Sequence, residues 1–228
     1  MPILTIDIET APSQLDWVRA ELAGSVKPPG TLKKAESIAE WERDSKPAAI
    51  EEAWQKTALD GSFGQIICIG WALDDEVPST LSAGSLDPRA EANILREWFD
   101  ILRKMHAGTS GLRPTVVGHN VASFDLAFIW KRAMVHGLRP PMWLPRNPKP
   151  WSDGVFDTMT QWAGDRERIS LDRLCKVLGI PGKGDGPTGA DVWPMAQAGK
   201  FDEIAEYCRG DVSRTRAVYW RMNFCTTQ

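Results

Sequence analysis

Residues 64–74 of this 228-residue chain read G-Q-I-I-C-I-G-W-A-L-D and constrain its fold more than any other stretch. A short apolar run between turn residues is a buried strand, which needs neighbours in a sheet and cover above it. Residues 3–8 (I-L-T-I-D-I) and 115–118 (T-V-V-G) have the same character, and a further short strand ends at Val155-Phe156-Asp157. Residues 77–83 read as a hairpin partner for the central run. Asp87 as N-cap and Pro88 at the first position open a helix to about Met105, with Ile94, Leu95, Trp98, Ile101 and Leu102 at helical spacing. Ser123 is expected to cap a helix to about His136. A connector with five prolines (139–150) follows, then helices near 157–163, 170–178, 190–198 and 201–223, with a Gly-rich loop at 179–189. This order predicts an α/β fold: one domain over 1–228, with helices flanking a mixed five-stranded sheet.

Residues 12–62 interrupt that order directly after the first strand. Within them, 31–44 and 47–59 read as two amphipathic helices rich in Ala, Glu and Lys. Trp17, Trp41 and Trp54 lie here, and either form the small core of a helical appendage or stack on bases.

Composition removes several function classes. No apolar run approaches the ~20 residues of a membrane-spanning helix. Residues 1–7 carry no basic stretch ahead of their apolar run, unlike a secretory signal. Cys68, Cys175, Cys208 and Cys225 form no C-x-x-C pair, which argues against a zinc ribbon or disulfide scaffold and for reduced thiols in a cytoplasmic setting. The net charge of −3 argues against binding a polyanion by bulk charge. Residues 131–183 nevertheless hold 10 basic and 5 acidic side chains, a local +5. That strip, with Arg132, Arg139, Arg146, Lys149, Arg166, Arg168 and Lys183, is either a solvated face or the path of a polyanion.

Three groups of carboxylates carry chemistry. Asp7 and Glu9, two apart on a strand, share one face, and two acids at the edge of a buried strand want a cation between them. Oxygen donors of this kind suit a hard divalent metal. Asn120-Val121-Ala122-Ser123-Phe124-Asp125 follows a strand, where ligands collect in α/β sheets; Asp125 also complements a helix N-terminus. Tyr207 and Asp211 are four apart on the last long helix and share its face. Asp211, on a largely apolar stripe, needs a partner, either a metal or a nearby arginine. Asp157 ends the last strand, close to these groups, and reads as a helix N-cap, with a catalytic role the alternative. Lys183 lies in G-K-G-D-G, where a Gly-flanked cation can approach a phosphate backbone.

D-I-E-T on the first strand, N-x-x-x-F-D at a strand-to-helix junction and Y-x-x-x-D on a late helix, in this order, resemble the three motifs of the DEDD 3′→5′ exonucleases, an RNase H-like superfamily. Tyr four residues before the last Asp marks the DEDDy branch, and the texture is similar to stand-alone exonucleases related to the proofreading domain of family B DNA polymerases, often found in phages and mobile elements. The resemblance implies two Mg²⁺ or Mn²⁺ ions, with Asp7, Glu9, Asp125 and Asp211 as ligands and Tyr207 orienting the attacking water. It implies that Thr10 meets the sugar of the terminal nucleotide, and that Asn120 and Phe124 support the site and the terminal base. Phe124 stands where some relatives carry Tyr. The expected activity is metal-dependent 3′→5′ hydrolysis of single-stranded DNA to nucleoside 5′-monophosphates. RNA is the alternative substrate, and a non-catalytic nucleic-acid-binding module or a structure-specific endonuclease the alternative classes.

Overall fold

The computed structural model describes residues 1–164 and 166–225. Five strands, β1 (Ile3–Ala11), β2 (Gln65–Leu73), β3 (Ser79–Ser82), β4 (Thr115–Gly118) and β5 (Val155–Asp157), form one sheet in the order β3-β2-β1-β4-β5. β2 runs antiparallel to β1 and β3, while β4 runs parallel to β1 and β5. β1 extends beyond the expected end at residue 8. A bulge between Glu9 and Thr10 lets Thr10 and Ala11 continue pairing with Ile66 and Gln65.

Helix α4 (Pro88–Gly108) starts as expected, with the Asp87 carboxylate accepting from the Arg89 N–H at 2.8 Å. Its Leu95, Trp98 and Leu102 pack with Leu126 and Ile129 of α5 (Asp125–Val135) against Leu4, Ile6 and Ile69, covering one sheet face. The other face is covered by α8 (Val192–Gln197) and α9 (Phe201–Met222), through Val192, Ala196, Ile204 and Cys208 against Ile67 and Cys68. α6 (Thr158–Ala163) follows β5, and α7 (Leu171–Leu178) packs on α9.

Between β1 and β2 lie three helices rather than the expected two: α1 (Asp16–Ser25), α2 (Ala35–Asp44) and α3 (Lys46–Gln55), then a 3₁₀ turn at Lys56–Leu59. Trp54 is the pin of this insertion. It is 5% exposed, donates its indole N–H to Ser13 O at 2.9 Å, and meets Trp193 of α8 edge-on at 5.2 Å. It is therefore core, while Trp17 stays 53% exposed beside Phe63.

Ser123 does not cap α5. Phe124 occupies the N-cap position without a side-chain hydrogen bond, and Ser123 is exposed. The turn is held from outside instead: Asp157 accepts from the N–H groups of Asn120 (2.9 Å) and Ala122 (3.1 Å) while also capping α6. One buried carboxylate thus serves two backbone segments.

Arg132 leaves the basic strip. It is buried and donates through Nε (2.9 Å) and Nη2 (2.8 Å) to Glu91, which is fully buried on α4. His136 Nε2 lies 2.6 Å from the same carboxylate, and the Ile66 N–H donates to it at 2.8 Å. Burial raises the Glu91 pKa, but the bonds from His136 and Arg132 outweigh it and hold the group below its ordinary range.

Candidate active site

The sheet brings Asp7, Glu9, Asp125, Tyr207 and Asp211 together from three distant parts of the chain. Asp7 and Glu9 share a face of β1, opposite Gly70 and Cys68 of β2. α9 crosses that face, and Cys208 Sγ lies 3.5 Å from Asp7 Oδ2 and 3.6 Å from Asp7 O. One ligand atom each from Asp7, Glu9 and Cys208 lie within 4.8 Å of one another. Asp125 is held against β1 by the Ile8 N–H, which donates to its Oδ1 at 3.0 Å. α5 therefore delivers its first residue to the site through a backbone bond to the residue between the two β1 acids.

A missing side chain makes the approach of α9 feasible. A Cβ at Gly70 would lie 2.8 Å from Cys208 Sγ and 2.9 Å from Val212 Cγ2, so any larger residue pushes α9 off the sheet. We expect Gly70→Ala to cost about 1–3 kcal/mol of stability by overpacking. It should also slow hydrolysis by on the order of 10²-fold, because Tyr207 and Asp211 move with the helix. Thermal unfolding and single-turnover rates measure both; an unchanged rate would show that α9 position does not matter.

The electrostatics are those of a cation site. Burial first, then the charges of Asp125 and Asp211, push the Asp7 carboxyl well above its usual range. Burial and Asp7 do the same to Glu9. Burial raises Asp125 to about 7, against the lowering effect of its backbone hydrogen bonds. Among the described residues, Asp7, Glu9 and Asp125 have no salt-bridge partner. Asp211 differs: Arg214 Nη2 donates to its Oδ1 at 2.8 Å and Lys183 Nζ to its Oδ2 at 2.8 Å. Arg214 is thus the nearby arginine that the sequence reading leaves unnamed.

Lys183 is placed away from an open loop surface. Its ammonium also donates to the Tyr207 hydroxyl oxygen and lies 4.1 Å from that ring's centroid. The Thr10 hydroxyl spends its proton on the fold, donating to Ala58 O at 2.7 Å, so toward a ligand it can only accept. Asn120 sits in the left-handed region (φ 65°), and its buried Oδ1 has no partner among the described residues. A strained backbone with an unspent acceptor is a common mark of a functional position.

Beside Glu9 opens a cavity of about 590 Å³. Glu9, Thr10 and Phe124 line one side, while Gln55 and Leu59 of the insertion and Trp193 of α8 line the other. The insertion is thus a wall of the cleft. Gln55, Trp193 and Gly70 escape a reading of the sequence because no local signal marks them, whereas Arg214 could have been found from its spacing of three from Asp211.

A family model described as "Predicted 3'-5' exonuclease related to the exonuclease domain of PolB" matches residues 59–228. The matched stretch contains Asp125, Lys183, Tyr207 and Asp211, while Asp7 and Glu9 precede it. Among solved structures, the family B DNA polymerase from the hyperthermophilic archaeon Pyrobaculum calidifontis matches at 14% identity and a TM-score of 0.57. The match covers 98% of this chain and 24% of that one, so the chain spans about a quarter of the polymerase. At that identity the likeness speaks for the fold alone. No curated protein matches the sequence.

Proposed function

The chain belongs to the family of predicted 3′-5′ exonucleases related to the exonuclease domain of PolB, and from that premise we propose that it hydrolyses single-stranded DNA from the 3′ end, releasing nucleoside 5′-monophosphates with divalent metal ions as cofactors. The observation that carries this reading is the convergence of half-buried Asp7 with buried Glu9 and Asp125, without ion pairs among the described residues, beside Tyr207 and Asp211.

The donor set fits Mg²⁺ or Mn²⁺. Its carboxylate oxygens are hard ligands, and their raised pKa values reflect burial and crowded negative charge that Lys183 offsets only in part. Asp7, Glu9, Asp125 and Asp211 would hold the metals, which when bound supply Lewis-acid stabilisation of the phosphoryl charge and an activated water. The thiol of Cys208 backs Asp7 and limits where its carboxylate can turn.

Tyr207 acts as a positioner. Burial first, then the charge of Glu9, raises its pKa further above the ordinary phenol value, so it cannot serve as a general base. Its oxygen accepts from Lys183, and the neighbouring Asp211 carboxylate competes with the attacking water for its proton. The terminal nucleotide lies in the cavity beside Glu9, with Phe124 and Trp193 as apolar walls.

The test uses 5′-labelled single-stranded DNA and RNA of matched sequence with Mg²⁺, Mn²⁺ or EDTA. We expect a ladder shortening from the 3′ end of DNA that vanishes in EDTA. Faster shortening of RNA would reassign the substrate, and intact strands under every metal condition would leave a binding module. Tyr207→Phe should slow the reaction by roughly 10- to 100-fold, through loss of water orientation, with unchanged metal affinity. A wild-type rate in that variant removes its proposed role.

A further inference from the structure

A second cavity, of about 510 Å³, lies at the other end of β4. β4 runs from Thr115 to Gly118, and Asn120 and Asp125 follow its C-terminal end. Arg113 precedes its first residue and lines this cavity, with Arg103 and His106 of α4 and Arg139, Met142 and Trp143 of the connector. No carboxylate lines it. Arg103 is partly spent, on Asp100 (2.6 Å) and on the carbonyl of Arg139. Arg113 and Arg139 are exposed and form no salt bridge among the described residues. Three guanidinium groups therefore surround a concavity that contributes no acid, and such a lining selects an anion rich in acceptor oxygens.

We propose that this cavity holds backbone phosphates of a single-stranded nucleic acid, gripping the part of the strand 5′ of the terminus being processed. The proposal rests on the reading of the protein as a nuclease. The connector favours a strand over a small free anion. From Arg139 it carries Arg146 and Lys149, both exposed, to β5, whose Asp157 braces the turn holding Asp125. Arg146 lies 5.3 Å from the Trp130 ring centroid, a cation and an aromatic surface side by side, as single-strand binders use them. The basic strip is thereby split in two: Arg132 and Lys183 turn inward, while Arg139, Arg146 and Lys149 remain outside, along the connector.

The test compares the full chain with Arg113→Gln/Arg139→Gln, and with Arg89→Gln/Arg96→Gln as a charge-matched control on the exposed face of α4. A long single-stranded DNA is titrated in EDTA over a range of salt, and hydrolysis of a trinucleotide is followed with Mg²⁺. The cavity variant should bind the long strand about 10-fold more weakly, with a salt dependence shallower by about 1.4 log units per log unit, two phosphate contacts at ~0.7 each. Trinucleotide hydrolysis should be unchanged, since so short a strand does not reach the cavity. Equal binding by cavity variant and wild type, or an equal loss in the control, would overturn the proposal. If no protein hydrolyses the trinucleotide or any DNA, the nuclease reading falls, while the binding comparison still judges the cavity.

Discussion

Asp7→Asn should abolish 3′ shortening while leaving the metal-free protein at least as stable as wild type. In the proposed metal-dependent reaction, metals at this site would contribute several kcal/mol to the transition state, so removing one carboxylate ligand should lower the rate by at least about 10³-fold. The stability half follows from the same electrostatics. Asp7, Glu9 and Asp125 have folded pKa values above their unfolded ones, so the native state keeps protons the unfolded chain has already released. Metal-free stability should therefore be highest near the ordinary carboxylate range of about 4 and fall as pH rises toward and past 7. Asn at position 7 removes one repelling charge and flattens that decline, whereas Mg²⁺ should restore wild-type stability above pH 7 by binding only the native state. Melting curves in EDTA and in Mg²⁺ at pH 5 and 8, with activity on 5′-labelled DNA, read both halves. A variant that is inactive because it is unfolded would contradict the account.

Glu91→Ala should be the most destabilising single change away from the site. It leaves Arg132 buried without its partner, the Ile66 N–H without an acceptor, and His136 without its carboxylate. Breaking a buried pair from one side costs about 3–5 kcal/mol. In a chain of this length that lowers the melting temperature by roughly 10 °C. Replacing both partners, Glu91→Met with Arg132→Leu, should recover most of the loss, since no buried charge is then unpaired. Because the Glu91 pKa is depressed in the folded state, its contribution holds above the unfolded value of about 4.3 and fades as pH falls through the native one. A melting temperature within a few degrees of wild type would show that the network is not needed. Hydrolysis below the melting range should survive, as the network holds the far end of α5 and Asp125 is fixed by Ile8.

Much of the fold was legible because apolar runs and helix starts are local properties. The strand at 64–74 and the helix opened by Asp87 and Pro88 needed only neighbouring residues to define them. Ser123 shows where local reading fails: a residue of the right type at the right offset is left exposed because Asp157, more than thirty positions on, holds the same turn. Trp54 shows the reverse. It is one of several tryptophans in a polar stretch, and its role as core depends on α8 reaching it with Trp193.

The candidate site divides along the same line. The sequence by itself determined which residue types could act and in what order: two acids on one strand face, an acid at a helix start, and Tyr207 and Asp211 on one helix face. Spacing of two or four fixes which side chains point together within an element, and nothing beyond it. Only the tertiary structure decided that Gly70 lets α9 close on β1, that Lys183 and Arg214 take both oxygens of Asp211, and that the insertion walls the cleft. It also divided the basic strip between a buried ion pair, the candidate site and a remote cavity. Those outcomes depend on distances between segments tens to two hundred residues apart, which packing sets and no local pattern encodes.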